Sequence, residues 1–337
     1  MIRSYLKIIL ICFLNLTIVS CEKCLLEKDP QNTPINNFDY LWTEVKHKYA
    51  YFEYKRTNWD SIYDVYSVDI QSEMADTALF NVLADMLYEL NDGHVNLKSD
   101  FDRSRNWSWF LEFPQNFNLN MVTRNYLGND YKITGPLKNQ VIDSVLYIYY
   151  GSFGSEIQDE HIDYIIDRTK GLKGLIIDIR DNGGGSLQNG IRLASAFTDT
   201  GFVYARSRIK TGPAEDDFAP WEDLEITPRD GDRYTGKIVL LTNKYSYSAS
   251  TFFAQMMKSH PRAVLIGDHT GGGGGIPAYG ELPNGWIYRF SSTQTLNPHD
   301  EHIEGGVMVD IRVDLDPEDE AEGIDTILEV ALEYLRG

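Results

Sequence analysis

The sequence predicts an α/β fold, a core of strand-strand-helix units wound as a spiral and preceded by a small helical domain. Two observations predict the core. Gly174 to Ile179 (GLIIDI) and Lys237 to Leu241 (KIVLL) are short, continuous apolar runs, the pattern of strands covered on both faces. Each passes through a turn of small residues into a helical pattern, Leu187 to Phe197 and Ser250 onward, and a third run, Ala263 to Ile266, enters the glycine tract Gly271 to Gly275. The third observation predicts the helical domain. From Asn37, apolar residues recur at three- and four-residue steps: Phe38, Leu41, Trp42, Val45, Tyr49 and Phe52; then Trp59, Ile62, Tyr63, Tyr66 and Ile70; then Leu79 to Leu90 behind Asp76 as cap.

Taken in order, residues 1–20 carry Arg3 and Lys7 ahead of an apolar run from Ile8 to Val19, the pattern of a secretory signal peptide. Small residues ending at Cys21 resemble a bacterial lipobox, which implies lipidation of Cys21 and a protein anchored at the cell envelope, on the periplasmic or outer-surface side of a membrane. Residues 21–36, with two prolines and several polar residues, read as a tether. The helical domain is expected over 37–97 and the core over 98–337.

All three cysteines (Cys12, Cys21, Cys24) lie in the leader and tether, so the body has neither a disulfide framework nor a thiol nucleophile. With 42% hydrophobic residues, 337 residues can bury one large core and a satellite. Fifty acidic against 31 basic residues give a net charge of −19, more negative once Arg3 and Lys7 leave with the leader. Nucleic acid is therefore excluded as a partner, because phosphate binding needs clustered Lys and Arg.

The third helix stops at Asn91-Asp92-Gly93, with Gly93 expected at the C′ position, and His94 opens a short strand, Val95 to Leu97. Lys98 to Arg124 is aromatic and polar without a clear period, and reads as irregular with one or two strands. Strands follow at Asp143–Tyr150, near Trp286–Ser291 and at Val307–Val313, with helices at Glu156–Lys170 and Ile324–Leu335.

Two stretches carry chemistry. Ser246, Ser248 and Ser250 stand where a strand turns into a helix, so each competes for two roles, cap and nucleophile. Unpaired N–H groups at a helix N-terminus also favour developing negative charge. Arg180 to Gly185 (RDNGGG) lacks the GxGxxG pattern and the GKS or GKT ending of phosphate loops. Its free glycine N–H groups suit an oxyanion hole better.

The segments Asp92-Gly93-His94, GLIIDIRDNGGG, Ser246 to Ser250, IGDHTGG (266–272) and IEGGVMVDI (303–311) resemble, in order and spacing, the motifs of the tail-specific (C-terminal processing) serine peptidase family. The resemblance implies a crotonase-like ββα core and an exported serine endopeptidase or carboxyl-terminal processing-type peptidase, working on peptide or unfolded protein through an acyl-enzyme. One branch uses a Ser–Lys dyad, but no lysine follows Lys258. The other branch resembles the tricorn protease core and interphotoreceptor retinoid-binding protein, and takes a histidine base and a late glutamate. Residue by residue it implies Ser248 as nucleophile, His94 as base and Glu304 as its support, with the N–H groups of Ala249 and of Gly184 or Gly185 holding the oxyanion. The chain departs from the tricorn pattern at Gly93, where that branch has a serine. The interval from Lys98 to Asn139 is too short for a PDZ domain. Neither metal nor cofactor is expected, and the membrane is reached only through the lipid. A histidine base implies activity governed by an ionisation near the unperturbed value of about 6.5.

Two further readings come from other classes. One is a non-catalytic protein of the same fold that binds an apolar ligand or peptide. The other is an acyl-CoA enzyme, which the acidic composition disfavours because CoA phosphates want basic residues.

Overall fold

The computed structural model describes residues 30–105 and 112–337. The leader, Cys21, most of the tether, and Trp107, Trp109 and Phe110 lie outside the described residues.

The centre is a seven-stranded sheet in the order β13 (Ile311–Arg312), β9 (Ala263–Gly267), β8 (Lys237–Thr242), β5 (Gly174–Asp178), β4 (Val145–Tyr149), β3 (Leu137–Ile142) and β2 (Lys132–Thr134). From β13 to β4 the pairing is parallel, and β4–β3 and β3–β2 are antiparallel. Side chains alternate between faces along each strand, and both faces are covered. Leu146, Ile148, Leu175, Ile177 and Leu240 pack with residues of α6 (Asp159–Arg168), α7 (Leu187–Ser195) and α8 (Ala249–Lys258). Val145, Tyr147, Ile176, Val239 and Leu241 pack with Ile327, Leu328 and Leu332 of α10 (Thr326–Arg336). Double burial is why these strands are apolar without alternation.

The fully buried Arg180 is compensated locally, which burial of a charge demands. Its guanidinium bonds Asp178 at 2.6 Å and Asp325 at 3.0 Å, and Tyr147 donates to Asp178 at 2.8 Å. This network ties the end of β5 to the start of α10.

The helical region comprises α1 (Pro34–Lys48), α2 (Phe52–Lys55), α3 (Trp59–Ser67) and α4 (Asp76–Tyr88). Its core residues Phe38, Leu41, Leu83 and Leu87 share one cluster with Leu282, Trp286, Tyr288 and Phe290 from late in the chain. A division at residue 97 therefore cuts across a single hydrophobic unit. The late segment belongs to a three-stranded antiparallel sheet, β1 (Asn96–Lys98), β11 (Ile287–Ser291) and β10 (Pro277–Glu281). A third sheet orders β12 (Thr293–Leu296), β6 (Phe202–Ile209) and β7 (Glu222–Ile226). Between β1 and β2 the described residues hold only the short α5 (Leu119–Val122) and a π-helical turn, Thr123–Leu127, with no room for a PDZ domain.

Local details depart from the sequence expectations. Ala75, not Asp76, is the cap position of α4, and Asp76 lies in the first turn, where a carboxylate still favours the dipole. The left-handed residue after α4 is Asn91 (φ 44°), not Gly93, as the short amide side chain tolerates that conformation. The strand expected over Val307–Val313 shrinks to Ile311–Arg312, and α9 (Pro317–Glu322), with Asp316 as its cap, was not foreseen.

Candidate active site

Adjacent parallel strands β5, β8 and β9 bring their C-terminal ends together, where an open α/β sheet places its ligand crevice. After β5 comes the glycine loop, after β8 the serine turn, and after β9 the tract reaching Gly275. The first two line a cleft of ≈ 990 Å³ that includes His94, Gly183, Gly184, Gly185, Ser248 and Arg289.

The three serines of the turn separate by geometry. Ser246 Oγ donates to the Ile179 carbonyl at 2.8 Å and Ser250 Oγ to the Asn182 carbonyl at 2.7 Å, so both fasten the turn to β5 and its loop. Ser248 makes no side-chain capping bond, although it holds the cap position of α8. Its backbone is at φ 58°, ψ −120°, an uncommon region for a residue with a Cβ. There its Oγ reaches His94 Nε2 at 2.9 Å.

Asn182 braces the glycine loop: its Oδ1 accepts from the N–H of Gly184 at 3.0 Å and of Phe153 at 3.2 Å, and its Nδ2 donates to the Tyr150 carbonyl at 2.8 Å. The Gly184 N–H, one of two alternatives for the oxyanion hole, is thus engaged. Gly185 keeps that role open, together with Ala249, whose N–H at the first helical position has no intrahelical acceptor. Gly184 serves by its size, since a Cβ there would lie 2.6 Å from the Tyr247 carbonyl oxygen and 2.9 Å from Ser248 Cβ, at φ 98°.

His94 is buried and held from two sides. Its backbone N–H donates to Asp92 Oδ1 at 2.8 Å, and its Nδ1 faces Ser291 Oγ at 3.3 Å. Glu304, expected to support that nitrogen, is bound elsewhere. Its Oε2 accepts from the Gly274 N–H at 2.9 Å and its Oε1 pairs with Lys55 Nζ at 2.9 Å. The physical reason is competition: an ammonium and a backbone N–H are stronger donors to a buried carboxylate than a neutral imidazole. Ser291, Lys55 and Asn182 were not anticipated as parts of this site. Asn182 lies within the RDNGGG stretch, whose glycines alone were singled out, whereas Lys55 and Ser291 carry no local motif and come from elements that only folding juxtaposes.

Burial pushes the His94 imidazole down to about 4; the Asp92 charge opposes this, while Arg289 and Lys55 add to it. The ring is therefore neutral, as a proton acceptor must be. This corrects the expectation of an unperturbed ionisation. Burial, followed by the Asp92 charge, pushes the Glu304 carboxyl up to about 7, with Lys55 pulling the other way. Burial alone would lower the Lys55 ammonium, but Glu304 and Asp92 leave it raised. The other histidine near a strand end, His269, is bonded through Nδ1 to Asp268 at 2.6 Å and is not among the residues lining the cleft.

Comparison with known proteins fits this geometry. The model of peptidase family S41 matches residues 144–313, half of the chain and the whole stretch from β4 to β13. The chain belongs to peptidase family S41. The tricorn protease C1 domain model matches residues 30–88 of this S41 member. A peptidase candidate from Parabacteroides merdae has the same fold at a TM-score of 0.86 and 39% identity, over 91% of this chain and 98% of that one. Mature CPAF shares the fold at a TM-score of 0.67 and 12% identity, over 90% and 98%. A probable CtpA-like serine protease of Staphylococcus aureus (strain bovine RF122 / ET3-1) is 27% identical over 169 residues, which cover 50% of this chain and 33% of the relative. The match thus spans about a third of that curated relative's length.

Proposed function

We propose that this S41 member is an exported serine endopeptidase or carboxyl-terminal processing-type peptidase, anchored in the cell envelope through Cys21. The observation that carries the reading is the 2.9 Å approach of Ser248 Oγ to His94 Nε2 at a strained strand-to-helix turn that opens on a cleft.

In this reading Nδ1 of His94 carries the ring hydrogen and donates it to Ser291 Oγ, which leaves the Nε2 lone pair facing Ser248. As Oγ attacks the scissile carbonyl, Nε2 takes its proton. The oxyanion forms against the N–H groups of Ala249 and Gly185. His94 then passes the proton to the leaving amine, and water releases the acyl group by the same steps in reverse order of roles. Glu304 is held by Gly274 and Lys55 and makes no direct bond to the imidazole, and the carboxylate whose charge favours the imidazolium is Asp92. Peptide or unfolded protein is the substrate class.

The test is labelling with a fluorophosphonate probe. The purified protein should label at Ser248, and Ser248→Ala should abolish labelling and peptide hydrolysis without lowering the melting temperature, because Ser248 makes no capping bond to lose. Absence of labelling in the unaltered protein would favour the ligand-binding reading. For the anchor, a Cys21→Ala chain should move from the detergent phase to the aqueous phase, and equal partitioning of the two would remove that part.

A further inference from the structure

Arg289 lies on β11 opposite Asn96, two residues along the chain from His94, and it lines the same cleft as Ser248. Ser291, whose hydroxyl faces the His94 ring, is two residues further along β11 and so on the same face of the strand. The guanidinium packs 5.4 Å from the Tyr279 ring centroid. Among the described residues no acceptor bonds it and no carboxylate pairs with it, and its Nε is buried without a partner. Among the described residues, none of the acidic side chains of this strongly acidic chain pairs with Arg289. The acid in the cleft wall, Asp181, is already occupied: its Oδ2 accepts from Gln115 at 2.8 Å and its Oδ1 from Asn243 at 2.9 Å.

A buried donor without an acceptor is costly, so an unmatched one in a cleft points to an acceptor that arrives with a ligand. A guanidinium presents a planar fork of donors that fits a carboxylate. Arg289 also acts on His94, since its charge works against the imidazolium that proton transfer creates.

We propose that Arg289 is the specificity-determining residue of the cleft and that it receives a substrate carboxylate close to the scissile bond. This rests on the peptidase reading. A seated carboxylate satisfies the guanidinium and cancels the charge that opposes proton uptake by His94. Its benefit therefore falls on kcat as well as on KM. The carboxylate comes from either of two sources, the free α-carboxyl of the peptide or an acidic side chain.

Two matched pairs of quenched fluorescent peptides separate the sources, one pair differing as free acid against amide and the other as Glu against Gln. The unaltered protein should turn over the carboxylate member of at least one pair with about 10- to 100-fold higher kcat/KM. Arg289→Gln should bring that ratio close to 1, and Arg289→Glu should carry it below 1. Fluorophosphonate labelling of Ser248 is measured in parallel for every variant. If the unaltered protein neither labels nor hydrolyses any peptide, the peptidase reading falls and takes this proposal with it. If it labels and hydrolyses but both ratios stay near 1, or if Arg289→Gln labels and keeps the ratio, the role of Arg289 is overturned and the peptidase reading stands.

Discussion

Ser291 Oγ lies 3.3 Å from Nδ1 of His94, on the far side of the ring from Ser248. The tricorn-type sequence pattern carries a serine directly before the histidine, and this chain has Gly93 there. Here a hydroxyl faces the imidazole from β11, nearly two hundred positions away in the chain.

Ser291→Ala should therefore lower kcat by about fivefold with little change in KM, since one buried hydrogen bond contributes about 1 kcal/mol. Ser291→Thr should recover part of the loss. Unchanged kcat in Ser291→Ala would mean that the burial of the ring alone holds it in place.

The acid limb of kcat/KM should fall near pH 4 to 5 and not near 6.5, because burial holds His94 at about 4 and activity needs the neutral ring. The sign for stability follows from the same shift. Between about pH 6.5 and 4 the unfolded chain binds a proton that the folded chain refuses, so stability falls as pH drops through that window. The contribution is on the order of 3 kcal/mol. His94→Asn should flatten the corresponding slope in denaturant titrations between those pH values, and an unaltered slope would count against the depressed value.

Lys55→Ala should destabilise the protein, and more at pH 8 than at pH 5. The Glu304 carboxyl, raised to about 7 by burial and by Asp92, is mostly neutral at pH 5 and mostly charged at pH 8. Its raised value means that ionising it costs stability as pH climbs from about 4.5 through 7, and Lys55 offsets that cost. Removing one partner of a buried pair costs about 3 to 5 kcal/mol when the other stays charged. Melting temperatures of the variant at the two pH values measure the difference, and an equal loss at both would place Lys55 outside the electrostatics of Glu304.

Gly184→Ala should lose probe labelling and melting temperature together. Its φ of 98° disfavours a side chain, and the new Cβ would press on the Tyr247 carbonyl and Ser248 Cβ. Gly183→Ala is the control, since a Cβ at Gly183 meets nothing within 4 Å. Both variants are read by thermal melting and by labelling rate. Equal behaviour of the two would show that contact with the serine turn is not what Gly184 provides.

The parallel core strands were legible because burial on both faces writes itself into the chain as unbroken apolar runs, as in GLIID and IVLL. The helices of the N-terminal region were legible from their period. The hairpin β2–β3, the pair β6–β7 and the strands β10 and β12 were not, because their segments mix polar and apolar residues. LKNQVI and EDLEI become strands only through the partners they meet.

By itself the sequence marked the serine turn and the glycine loop as stretches suited to a nucleophile and an oxyanion hole, and the family resemblance added His94 and Glu304 to them. The first two are local signals, written in glycine spacing and in strand-to-helix junctions. The tertiary structure alone decided how those segments face one another. It turned Ser246 and Ser250 into fasteners and left Ser248 to His94. It engaged Gly184 with Asn182, gave Glu304 to Lys55 and Gly274, and put Ser291 behind the imidazole. The reason is physical: hydrogen bonds and desolvation act between neighbours in space, and residues near positions 55, 94, 184, 248, 291 and 304 become neighbours only when three sheets and a helical cluster close around one cleft.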